Sequence, residues 1–499
     1  MNKLSVGTKF AYGLGQVGEQ VKNQGFSVFL FFYFTQVLGL SGSLAGTAIL
    51  IALIFDAVTD PLAGSLSDNW KSPRGRRHPF MYASAAPLGI TFVFLFLPPA
   101  GLGQLGLFAW LTTFAVLVRG AMTLYHVPHL AMGAELSDDY QERTSIVAWR
   151  TMLGVVGGAI VVLLAYQLFF PETPEFERGL LNPAGYPGFA VFAAVIMFLT
   201  IWYSAWGTRH EIPNLPKAPE HPEPFSVGRI VREFASAWQN VSFRSLFIGF
   251  TLYGIFFGVL ATLATHLNLY FWGFDTSHLQ VLLLPTVLGF VLGALLVGRL
   301  HARFDKMPTL IAGCISSGII GNSAVVLRLL GWFPENGSPV LLPLIFGLLM
   351  VNLSIAATGF ISAGSMMADV AEQHVLKTGR AQQGIFFSAT SFSGKLASGF
   401  GHFLAGVGLD LIAFPLQLSP SEVGPEAIRN LGLLNLAAVS ITLVAIWVFR
   451  SYTIDRSVQE SNRDALRALA SGAAAVEASP SHIPAEDIAA GEDVLSEVS

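Results

Sequence analysis

The sequence predicts an all-α polytopic membrane protein, twelve transmembrane helices in two six-helix halves, and three observations carry that prediction. Of the 499 residues, 53% are hydrophobic and only 12% are charged, about half the charged share of a soluble domain. Apolar stretches of about 20 residues, the length that spans a bilayer as a helix, recur along the chain. The short connections between them concentrate Lys and Arg on one side, the asymmetry that membrane topology imposes.

The crossings are expected at 10–38, 44–67, 80–99, 105–134, 145–169 and 188–207, then at 244–272, 279–299, 308–331, 340–366, 384–412 and 430–449. Lys71, Arg74, Arg76 and Arg77 follow crossing two, Arg143 follows four, and Arg209, Arg229 and Arg232 follow six. Arg303 and Lys306 follow crossing eight, and Lys377 and Arg380 follow ten, with Arg178 and Arg429 as exceptions on the opposite side. The positive-inside rule therefore places the basic loops and both termini in the cytoplasm. The first stretch is long, holds Gln16, Glu19 and Gln20, and is followed by no small-residue cleavage pattern. It reads as a retained helix and not as a signal peptide.

Residues 1–207 and 244–454 are expected to form the two halves, with a cytoplasmic loop at 208–243 between them that holds Pro213, Pro216, Pro219, Pro222 and Pro224. The halves echo each other. Ala134-Glu135 leads through a polar loop to Arg143 as Ala368-Asp369 leads to Arg380, and Gly75-Arg76-Arg77 is matched loosely by Gly298-Arg299 followed by Arg303 and Lys306. Internal symmetry of this kind marks duplicated transporter folds. The last stretch, 455–499, is rich in Ala, Ser, Glu and Asp and reads as a disordered cytoplasmic tail.

A charge in hydrocarbon is expensive and is generally kept facing a partner or a cavity, so the ionisable residues within the crossings are the candidates for chemistry. Gln16, Glu19, Gln20 and Asn23 fall on one stripe of crossing one. Gly13, Gly15 and Gly18 beside them permit close helix approach. Crossing two holds Asp56 and Asp60 one turn apart, directly before Pro61. They read either as static partners of cations on neighbouring helices or as a shared site for a proton or sodium ion. Crossing four aligns Arg119, Thr123 and His126, crossing five holds Arg150, and crossing eleven holds Lys395. Arg150 and Lys395 are the expected countercharges of the aspartates, in a pairing that is either structural or broken and remade during transport. His126 is a pH-sensitive group by type or a neutral hydrogen-bonding one. Trp149 could stack on a ligand ring.

Near the cytoplasmic ends, Asp68, Arg76, Arg77, Glu142, Arg143, Asp369 and Arg380 are expected to form a gate of ion pairs. Asp369 also closes a stripe of Ser354, Thr358, Ser362 and Ser365 that reads as a water-lined face or as helix packing. Trp70 and Trp272 read as interface anchors. The lone Cys314 closes no disulfide within the chain and reads as a small core residue. No metal-ligand spacing, phosphate loop or paired nucleophile stands out, so neither an enzyme nor a metal cofactor is expected. The basic clusters are explained by topology, so no nucleic-acid partner is expected either. A non-transporting receptor would give no reason for charges spread over crossings one, two, four, five and eleven.

The run Phe55-Asp56-Ala57-Val58-Thr59-Asp60-Pro61-Leu62-Ala63-Gly64, then Asp68 and Gly75-Arg76-Arg77-His78-Pro79, resembles the signature of the glycoside-pentoside-hexuronide:cation symporters, which include the melibiose and glucuronide permeases. Tyr12-Gly13-Leu14-Gly15, Gly18, the Pro128 stretch, Glu142-Arg143 and the Lys395 region are similar too, so the likeness spans crossings one to eleven. It implies the major facilitator fold and cation-coupled uptake through an alternating-access cavity. It also implies that Asp56 and Asp60 bind the cation with help from Thr123, and that Arg150 and Lys395 line the cavity. Two positions depart from the melibiose permeases, where Gln20 and His126 stand in place of aspartates. Those departures point away from galactosides and sodium, and toward a proton.

The same resemblance reaches the lysolipid and amino-acid carriers of animals. The first expectation is therefore proton- or cation-coupled symport of a glycoside or related polar solute. The second is carriage of an amphipathic solute such as a lysolipid or an aromatic glycoside. A monomer in a bacterial inner membrane, surrounded by lipid, is the expected setting.

Overall fold

The computed structural model describes residues 4–217, 226–378 and 383–477, and among them no strand occurs. Helix α1 (Val6–Gln24) starts where the Ser5 side chain accepts the Thr8 N–H at 3.0 Å, the usual service of a serine N-cap. It runs on through the wider turns Gly25–Leu30 and Tyr33–Val37 and stops at Gly39, whose φ of +75° suits glycine. There follow α2 (Gly42–Asp68), α3 (His78–Leu95), α4 (Gln104–Glu135), α5 (Tyr140–Phe169) and α6 (Gly185–Thr208). A short helix, α7 (Val227–Trp238), precedes α8 (Val241–His266), α9 (Thr276–Phe304), α10 (Lys306–Leu329), α11 (Leu341–Thr378) and α12 (Gln383–Leu411). The chain closes with α13 (Pro425–Ala437), α14 (Val439–Phe449) and α15 (Arg456–Glu477).

In the first half, α1 packs on α5 and α6, α2 on α4, and α3 on α4 and α6. In the second, α8 packs on α12 and α14, and α11 on α9 and α10. The halves meet chiefly where α2 crosses α12. Glycine makes that crossing possible. A Cβ on Gly42 would stand 2.5 Å from the Gly406 carbonyl oxygen, and one on Gly46 would stand 2.6 Å from that of His402. Small residues at such contacts let two membrane helices meet backbone to backbone.

Ten helical spans among the described residues are long and apolar enough to cross a membrane. The other two predicted crossings are α1 and α12, which are helical over the required length but interrupted by polar side chains such as Glu19, Lys22 and Lys395. Those side chains face protein and not lipid, as the site below shows.

The described helices add detail to four expectations. Crossing ten is not confined to 340–366, because α11 has 38 residues, about 57 Å of helix. It overshoots the bilayer and takes Asp369 into its projecting end. Crossing twelve is two helices, α13 and α14, joined at Ala438. The 208–243 segment holds the short turn Arg209–Asn214 and the helix α7, while residues 218–225 lie outside the described residues. The supposed disordered tail begins as α15. Its Ala, Leu, Arg and Glu content favours helix, and it is tied down by Arg463 to Glu372 at 3.5 Å and by Arg456 donating to the His301 carbonyl at 2.6 Å.

Candidate functional site

A cavity of about 370 Å³ lies between α1, α2, α4 and α12, within the ~300–1,000 Å³ usual for small-molecule sites. Its wall is written in helical spacing: Glu19, Lys22 and Asn23 from α1, Asp56 and Asp60 from α2, Arg119, Thr123 and His126 from α4, and Ser391, Lys395 and Ser398 from α12. Residues three or four apart share one helix face, so each helix turns a polar stripe inward and leaves its apolar faces to packing and lipid. Pro61 and Pro128 lie beside these stripes. Each removes one N–H from the helix ladder, which frees a carbonyl oxygen near the site. A larger recess of about 540 Å³ lies between α3 and α6, but its lining is wholly apolar and outward. It is part of the lipid-facing surface.

The charges in the cavity are organised around Asp56. Its Oδ2 is 3.2 Å from Arg119 Nη1 and 3.0 Å from Lys395 Nζ, and its Oδ1 is 2.7 Å from the Thr123 hydroxyl. The same hydroxyl is 3.1 Å from Asp60 Oδ1, and Lys395 also pairs with Asp60. One ammonium from the second half therefore bridges two carboxylates of the first. Glu19 accepts from the amides of Gln16 at 2.8 Å and Asn23 at 2.6 Å. Arg119 lies over the Phe26 ring at 4.8 Å, a favourable contact for a guanidinium away from water. Pairing of this density is what buried charges require.

Asp56, Asp60, Thr123, Arg119, His126, Glu19 and Lys395 thus converge as the sequence suggested. Among the described residues Arg150 makes no ion pair with the aspartates and lies instead within electrostatic reach of Tyr12. Arg119, which α4 presents directly opposite Asp56, supplies that countercharge instead. Trp149 meets Phe10 edge-on at 6.5 Å and is absent from the cavity wall, because α5 packs behind α1 and does not line the site. Gln20 is likewise turned away, over Gly154 and Gly158 of α5. Lys22 was missed, although its spacing of three from Glu19 placed it on the same face.

On the side that carries the termini, Arg76 and Arg77 converge on Glu135 at 2.7 and 2.6 Å, and Arg77 also pairs with Asp68. Lys306 pairs with Asp369, which Gln459 also meets. The two arrangements answer each other, a cation after the second membrane helix of each half, α2 or α9, joined to an acid on the fourth, α4 or α11. Glu135 was seen in the repeat but not as a pairing residue. Glu142 binds Lys9 at 2.9 Å, whereas the exposed Arg143 meets Asp138 at 3.2 Å. These pairs each close within one half. Arg380 lies outside the described residues.

The sequence profile of the family described as MFS/sugar transport protein matches residues 11–456. A putative glycoside/cation symporter of Escherichia coli K12, YagG, is 25% identical over 89% of this chain and 91% of its own. The sodium-dependent lysophosphatidylcholine symporter 1 of Gallus gallus is also 25% identical, over 94% of this chain and 90% of its own. Among solved structures, a variant of the nucleoside transporter NupG superposes with a TM-score of 0.63 at 13% identity, covering 90% of this chain and 99% of that one.

Proposed function

Since the chain belongs to the MFS/sugar transport protein family and is a multi-pass secondary transporter of the major facilitator fold, we propose that it carries a glycoside or related polar solute together with a proton or sodium ion. Asp56, Asp60 and Thr123 form the cation site, and the solute occupies the cavity beside them. The observation that supports this most is Lys395. An ammonium placed between two carboxylates occupies the position a coupling cation needs, and it belongs to the opposite half. Arrival of the cation would release Lys395 from the aspartates and so free one half to move against the other. Glu19, Arg119 and His126 face the same space. We place the termini in the cytoplasm and the protein in a cell inner membrane, on the basic loops of one side. The pairs of Asp68, Arg76, Arg77 and Glu135, and of Lys306 and Asp369, then stiffen the cytoplasmic ends of the halves.

Uptake of labelled glycosides, uronides and lysolipids into proteoliposomes under an imposed proton or sodium gradient tests this reading. Gradient-driven accumulation is expected, with Asp56→Asn and Asp60→Asn each reducing it by about 100-fold or more, the scale of breaking a buried ion pair, while exchange persists. A bound solute that no gradient concentrates would defeat the symport reading. A polar wall of six charges favours glycosides over lysolipids, and the same panel decides between them.

A further inference from the structure

The cavity wall carries three carboxylates, Glu19, Asp56 and Asp60, and three cations, Lys22, Arg119 and Lys395. Five of the six are held in place by the contacts above. Lys22 is different. It is 5% exposed and lines the cavity, yet its nearest carboxylate oxygen, on Glu19, is 3.9 Å away. Among the described residues no hydrogen bond to its ammonium is seen. The Glu19 oxygens are instead taken by the amides of Gln16 and Asn23. Arg119, within electrostatic reach of Lys22, has a buried Nε without a partner. Two cations on α1 and α4 therefore repel across the wall, each with donor capacity unspent, and a buried ammonium with a single long contact is costly.

We infer that Lys22 is the specificity residue for the solute and receives a single carboxylate on it, so that the transported compound is a monoanion. This rests on the symport reading above. With His126 neutral, the six charges sum to zero. A cation arriving at Asp56 and Asp60 raises the sum to +1, and a carboxylate at Lys22 restores zero. In a low-dielectric cavity an uncompensated charge is unfavourable, so each ligand improves the binding of the other, and by linkage the effect is reciprocal. Cation and solute are thereby coupled through charge as well as through movement of the halves. The alternative, Lys22 as a fixed partner of Glu19, gives the solute no part in this balance.

The test is binding and gradient-driven uptake by the full-length protein of matched pairs, methyl glucuronide against methyl glucoside and methyl galacturonide against methyl galactoside. The wild type is expected to bind an acid at least 10-fold more tightly than its neutral partner. Lys22→Gln is expected to remove that preference by weakening the acid alone, and Lys22→Arg to keep it. Thermal melting checks that the variants fold. The inference is overturned if neutral glycosides accumulate and no acid does, if no acid binds, or if Lys22→Gln weakens both members of a pair equally. Failure of every compound to respond to a gradient would instead remove the symport reading on which the inference stands.

Discussion

On the side of the cavity away from the termini, Asp410 at the end of α12 accepts the N–H groups of Gly42 and Ser43 at 2.8 Å each, capping α2 of the other half. Near it Gln417 donates to the Val37 carbonyl at 3.0 Å, Tyr270 to Gln36 at 3.1 Å, and Arg178 to the Gly273 carbonyl at 3.1 Å. His266 completes this layer among rings of both halves, 5.1 Å from Phe32 and 6.0 Å from Phe414. The terminus side contrasts with it, since the ion pairs described there join residues of one half only. The far side is thus a seal between two bodies, whereas the near side is bracing within each. With the termini in the cytoplasm, as proposed, the structure is a state closed to the outside.

Three substitutions probe that contrast, the largest effect first. Arg77 is 4% exposed and anchors Glu135, Asp68 and Ser67, so Arg77→Ala is expected to destabilise the first half by about 3 kcal/mol. This would be read as a lower melting temperature. Because the pair lies within a half, accessibility of the far side should not change. Asp410→Ala should do the reverse. Loss of a helix cap is worth about 1 kcal/mol, which shifts a two-state balance about five-fold. In a Cys314→Ser background, labelling of Thr265→Cys by an impermeant maleimide should rise by that factor with little change in melting. Unchanged labelling would show that Asp410 only caps. Arg143→Ala is the smallest test. Arg143 and Asp138 are half and largely exposed, and a pair in water is worth about 0.5 kcal/mol or less, so neither melting nor labelling should move measurably.

How much of this was legible depends on distance along the chain. The crossings follow from local composition, and even α1 and α12 were found, because their polar residues fall on stripes within long helices. Asp56 and Asp60 stood out as neighbours one turn apart, and Lys395 as a cation with no local partner. Arg150 was expected as a countercharge where Arg119 serves, because both are arginines at membrane depth and the choice depends on which helix packs against α2. Lys22 was overlooked beside an acid three residues away, which suggested self-sufficiency that the 3.9 Å separation does not bear out. The Asp410 cap spans 368 residues and left no local signal. In α15, composition suggested a solvated tail, while Arg456, Gln459 and Arg463 turned out to supply the contacts that dock it.

The seam of Gly42, Gly46 and Gly406 has a mechanical consequence. Where α2 and α12 touch, backbone meets backbone, with no side chain between them to change rotamer as the crossing angle alters. Such a contact behaves as a pivot bearing: it fixes the spacing of two rods while offering little resistance to their turning. Bulk added at Gly46 would therefore do more than lower stability. It would turn a bearing into a wedge and hold the two halves at one angle.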